Sequence, residues 1–72
     1  MSGYYIRMAK AMNKIKDRLK KGGVIKFSTL KKYLKNEGLP DYAKWVIRLE
    51  LLHRYKIGTK VDYEKERIYI ER

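Results

Sequence analysis

The sequence predicts an α+β fold, and three observations carry that expectation. Apolar residues recur every three or four positions through most of the chain, which is the period of a helix, and then every second position near its end, which is the period of a strand. Gly22-Gly23, Gly38-Leu39-Pro40 and Gly58 cut the chain into short pieces. With 72 residues, 44% of them hydrophobic, and no cysteine, there is material for one small core and no disulfide to hold it. One domain, 1–72, is therefore expected.

The first piece predicts a helix over 4–21. Tyr5, Met8, Met12, Ile15 and Leu19 form one stripe at spacings of 3, 4, 3 and 4. Arg7, Lys10, Lys14, Arg18 and Lys21 form a cationic ridge on the other side. Gly22-Gly23 terminates the helix, because glycine enters the left-handed region without steric cost. Val24–Phe27 is short, β-branched and aromatic, which suits one small strand over 24–27. Ser28 offers an N-cap oxygen to a second helix over 29–37, with Leu30, Tyr33 and Leu34 inward and Lys31, Lys32 and Lys35 outward. Gly38 closes that helix and Asp41 is a capping residue for a third, over 42–55. At about 100° per residue, Tyr42, Trp45, Val46, Leu49 and Leu52 fall on one side and are expected inside. Lys44, Arg48, Leu51 and Tyr55, flanked by Ile47, fall on the other. Trp45 is the expected centre of the core, among Met8, Met12, Leu30, Leu34, Leu49 and Ile70. Gly58 ends helical reading. Ile57, Thr59 and Val61 alternate, as do Ile68 and Ile70, around the polar Asp62–Glu66 stretch, so a β-hairpin is expected over 56–71.

The charge is placed unevenly. Met1–Asn36 carries eleven Lys/Arg against Asp17, a net of +10. Glu37–Arg72 carries eight against seven acids, a net of +1. A field concentrated at one end attracts and orients a polyanion, and nucleic acid is the expected one. No apolar run reaches the length of a membrane span, and the apolar side of the first helix is needed for the core rather than for a lipid surface. The start of the chain has no apolar signal stretch, so a cytoplasmic, nucleoid-associated location is expected. The absence of Gln and Cys, with two Asn and abundant Lys, fits a thermophile.

The order helix, strand, helix, turn, helix, hairpin resembles the winged helix-turn-helix domain over nearly the whole chain. The resemblance lies in the second helix STLKKYLKNEG, the break GLPD, the third helix YAKWVIRLELLHRY and the hairpin KIGTKVDYEKERIYIE. In size and composition the chain looks like small archaeal, plasmid and viral regulators. The resemblance implies that the third helix enters the major groove, that the second touches the backbone and that the hairpin is a wing. The strict helix-turn-helix pattern has apolar residues six and nine positions after the turn glycine, here Lys44 and Ile47. The periodicity of the third helix selects Trp45 and Leu49 instead.

On this reading Lys44 and Arg48 reach guanine edges, Ile47 and Leu51 touch thymine methyls, and Tyr55 is a further contact. Lys31, Lys32 and Lys35, the ridge of the first helix, and Lys56 and Lys60 of the wing contact phosphates. The wing tip, with Asp62, Glu64 and Glu66, is a poor phosphate binder. His53, the one histidine, has no partners for a metal site and is a boundary residue. No nucleophile–base pair, metal-ligand spacing or phosphate-cradling glycine loop appears, so no catalysis, metal or cofactor is expected. The expected function is double-stranded DNA binding by a transcriptional regulator. A two-fold homodimer is expected, with Tyr4, Tyr5, Ile6 and exposed aliphatics of the third helix as interface residues. Two alternatives remain open: a small basic accessory subunit docking on replication or transcription proteins, and a chromatin-like non-specific nucleic-acid binder.

Overall fold

The computed structural model describes residues 2–71; residues 1 and 72 lie outside the described part. Three helices and a three-stranded antiparallel sheet follow in the order α1 (Ser2–Gly22), β1 (Val24–Lys26), α2 (Phe27–Asn36), α3 (Lys44–Tyr55), β2 (Thr59–Asp62) and β3 (Arg67–Ile70). The α+β class and the element order agree with the expectation. β3 is the central strand, between β1 and β2. Ile25 pairs with Ile68, which pairs on its other side with Val61, so one face of the sheet is apolar and packs against the helices.

Glycines end the first two helices, as their positions suggest. Gly23 takes φ 76° and donates to the Leu19 carbonyl at 2.7 Å. Gly38 takes φ 72°, its N–H donates to Lys35 O, and Leu39 N–H reaches back to Leu34 O at 2.9 Å. That pair of bonds is a Schellman closure, and Leu39 is buried beneath it. The third helix ends differently. Lys56, not Gly58, takes the left-handed conformation, at φ 59°.

The expected side-chain caps do not form. Ser28 lies inside α2, whose N-cap is Lys26, and α3 starts at Lys44 with Ala43 as N-cap. Asp41 instead lies 3.8 Å from Lys44 Nζ. The Phe27 N–H is taken by Glu66 O at 2.8 Å, so the start of α2 is tied to the hairpin turn.

The core comprises Met8, Ala11, Met12, Ile15 and Leu19 of α1, Ile25, Leu30 and Leu34, Leu39, Ile47 and Leu51 of α3, and Ile68. The stripes of α1 and α2 are therefore as expected, apart from Tyr5. Residues 3–7 are all exposed, and Tyr5, 71% exposed, lies in solvent. The phase of α3 is the reverse of the expected one. Ile47 and Leu51 are fully buried, whereas Trp45 is 65% exposed and Leu49 and Leu52 are nearly half exposed. The physical reason is that α3 carries two apolar stripes, and the smaller pair fills the space left between α1 and the sheet. Ile70, expected near the core centre, is half-buried; Ile68 holds that place.

Candidate nucleic-acid interface

α1 runs alongside α2. Arg7 lies by the Gly38 turn at the end of α2, where a β-carbon on Gly38 would be 3.4 Å from Arg7 Nη1. Arg18, three turns on, lines a cavity with Ser28 and Thr29 at the start of α2. The ridge Arg7, Lys10, Lys14, Arg18 and Lys21 is exposed throughout, and so are Lys31, Lys32 and Lys35 on α2. Eight cations therefore lie in solvent on two adjacent helices. Within α1, Asp17, the single acid of the basic half, pairs with Lys16 at 3.0 Å, not with the ridge. Arg7 uses one donor on Gly3 O at 3.1 Å, which fixes its stem along the helix.

The third helix departs from the sequence reading at five positions. Ile47 and Leu51 are in the core and reach no ligand without unfolding the domain. Lys44 is mostly covered: its ammonium sits 4.6 Å from the Phe27 ring centroid, beside Asp41. Arg48 folds onto the hairpin, Nε and Nη2 both donating to Thr59 O at 2.9 and 2.6 Å. Two of its five N–H groups are thereby spent on a latch between α3 and β2, and the rest stay available. Tyr55 is half-buried, with Lys16 Nζ 5.1 Å from its ring centroid. Lys56 is exposed but is the C-cap of α3 rather than a hairpin residue, because the helix runs to Tyr55 and β2 starts at Thr59; Lys60 is exposed on β2, its Nζ 3.9 Å from Glu71 Oε2.

The outward face of α3 is built from Trp45, Leu49 and Leu52, at spacings of 4 and 3, with Arg48 on one edge and His53 on the other. Between this face and β2 runs a groove of about 400 Å³ that also touches Ile57, Gly58 and Thr59. The helical period of α3 does not single out this surface; the strict helix-turn-helix spacing, which places Ile47 nine residues after Gly38 on the inner side, does. Elsewhere, the Tyr42 hydroxyl is raised above the usual phenol range, first by its hydrogen-bonding interaction with Tyr4 and then by desolvation.

Among the described residues no helix is long and apolar enough to cross a membrane. Protein-family models, curated proteins and solved structures show no match to this chain.

Proposed function

We propose that this protein is a winged-helix DNA-binding module that holds the duplex mainly by its phosphates. The observation that carries the reading is the exposed array of Arg7, Lys10, Lys14, Arg18 and Lys21 beside Lys31, Lys32 and Lys35, in a half of the chain with net charge +10. Such an array releases counterions from DNA and supplies sequence-independent affinity. The order α1-β1-α2-α3-β2-β3 is compatible with the winged-helix arrangement. Groove contacts fall to the exposed side of α3: the free donors of Arg48, the Trp45 indole N–H, and Leu49 and Leu52 against thymine methyls. Regulation of transcription on the nucleoid, by a two-fold pair of modules, is the role this reading implies.

A second reading rests on the same face of α3. Trp45, Leu49 and Leu52 present more apolar surface than a base-reading helix needs, and few hydrogen-bond donors. That favours an accessory subunit that grips nucleic acid with α1 and α2 and another protein with α3.

Selection of bound sequences from a random duplex pool tests both. A defined motif supports the regulator. Enrichment without a motif supports phosphate-based binding with α3 engaged elsewhere. A pool that is not retained refutes the proposal.

A further inference from the structure

A second concentration of positive charge lies at the junction of α1, β1, α2 and the hairpin. Arg18, Lys26, Lys65 and Arg67 line one open cavity of about 520 Å³, together with Ser28 and Thr29. Two features of this cluster are unfavourable as they stand. Lys26 and Arg67 are direct cross-strand partners in the β1–β3 ladder, and like charges placed opposite each other destabilise a sheet. The Arg67 Nε is buried and has no hydrogen-bond acceptor; Asp62 Oδ2, the carboxylate in ion-pair range, is 3.8 Å away. The first turn of α2 adds to the imbalance, since no side chain caps it and only the Phe27 N–H has an acceptor in the hairpin turn.

One ligand would relieve the opposed charges and the uncapped helix start together. A phosphate oxyanion in the cavity neutralises the opposed Lys26–Arg67 pair, accepts from the guanidinium groups of Arg18 and Arg67, and suits the hydroxyls of Ser28 and Thr29 as further donors. We propose that this cavity is a phosphate-binding socket, assembled by Arg18, Lys26, Lys65 and Arg67 around the start of α2. Its acidic neighbours are Asp62, Glu64 and Glu66 of the hairpin turn; Asp62 is partly occupied, accepting the Lys65 N–H at 3.1 Å, and none of the three lines the cavity. The phosphate is either a backbone diester of bound DNA, in which case the socket fixes the position of the duplex and rests on the function proposed above, or a free phosphate.

The test titrates the whole protein with inorganic phosphate against chloride at matched ionic strength, followed by amide and arginine-side-chain NMR. Saturable shifts at the Ser28 and Thr29 amides and at the Arg18 and Arg67 guanidinium groups are expected. Arg18→Gln should weaken phosphate binding about ten-fold, a loss in the range of one charge-assisted contact. Lys20→Gln removes the same charge from an exposed position of α1 that does not line the cavity, and should change it less than about two-fold. Both substitutions are at exposed positions, and thermal melting verifies that both variants fold. Equal losses from the two variants, or shifts that never saturate, would overturn the socket in favour of a diffuse field. The same pair is then measured with a 20-base-pair duplex. Phosphate binding without duplex binding keeps the socket and removes the DNA reading. Duplex binding with equal losses from the two variants keeps the DNA reading and removes the socket.

Discussion

Leu51 and Leu52 are neighbours in α3 with identical side chains, and they provide a sharp test of the helix phase. Leu51 is fully buried and Leu52 is 47% exposed. Leu51→Ala deletes three buried heavy atoms from a core that has little freedom to collapse, since α3 is packed against both α1 and β2. Comparable substitutions cost about 3–5 kcal/mol, transfer and cavity terms together. Leu52→Ala opens no enclosed cavity and loses about half of the transfer term. Ala is also the better helix former, so the net cost is about 1 kcal/mol or less. The scale of the whole molecule makes the difference visible. A domain of this size has a total stability of about 4–11 kcal/mol, and each kcal/mol moves its Tm by about 4–8 °C. Leu51→Ala should therefore lower the Tm by at least about 12 °C, and Leu52→Ala by no more than about 8 °C. Thermal melts followed by far-ultraviolet circular dichroism give both numbers. Equal shifts, or a larger shift for Leu52→Ala, would mean that α3 is turned the other way and that the apolar groove beside β2 does not exist.

Four further outcomes are expected. If α1 and α2 make five to seven phosphate contacts, log K for duplex DNA should fall against log salt with a slope of about −4 to −6, and a slope shallower than about −2 would leave the exposed cations as a solvated surface. Trp45 fluorescence should be readily quenched by acrylamide in the folded protein, given its 65% exposure; protection from the quencher would contradict the outward placement. Arg48→Ala should cost about 1 kcal/mol, since the latch to Thr59 O is charged but partly screened, and Arg48→Lys should not restore it, because a single ammonium lacks the fork; hydrogen exchange across β2 that is unchanged in either variant would remove the latch. Lys56→Gly should stabilise the domain by up to about 1 kcal/mol by relieving a left-handed lysine, and a loss of stability would show that the lysine side chain outweighs that strain.

How far the candidate site was legible depends on the kind of residue involved. The cations of α1 and α2 lie opposite a single apolar stripe, so their exposure follows from period alone: once Met8, Met12, Ile15 and Leu19 turn inward, Arg7, Lys10, Lys14, Arg18 and Lys21 have nowhere to go but water. The cluster of Arg18, Lys26, Lys65 and Arg67 was not legible, because its members come from three separate stretches of chain that meet only through the β1–β3 pairing. The outward position of Arg48 follows from the period of α3, but its place against Thr59 O depends on how the hairpin packs beside α3.

By itself the sequence determined the element order, the ends of α1 and α2 at Gly23 and Gly38, the hairpin and the one-sided charge. Each of these rests on local chemistry: backbone conformations open to glycine, hydrophobic period, and formal charge. Only the tertiary structure decided which stripe of α3 is core. Ile47 and Leu51 lie on one side of the helix, Trp45, Leu49 and Leu52 on the other, and period specifies the spacing within a stripe without choosing between stripes. The choice is made by volume and by neighbours. The space between α1 and the sheet takes the smaller pair, while Lys44 against Phe27 and Arg48 against Thr59 hold the helix at that rotation and leave Trp45 facing solvent.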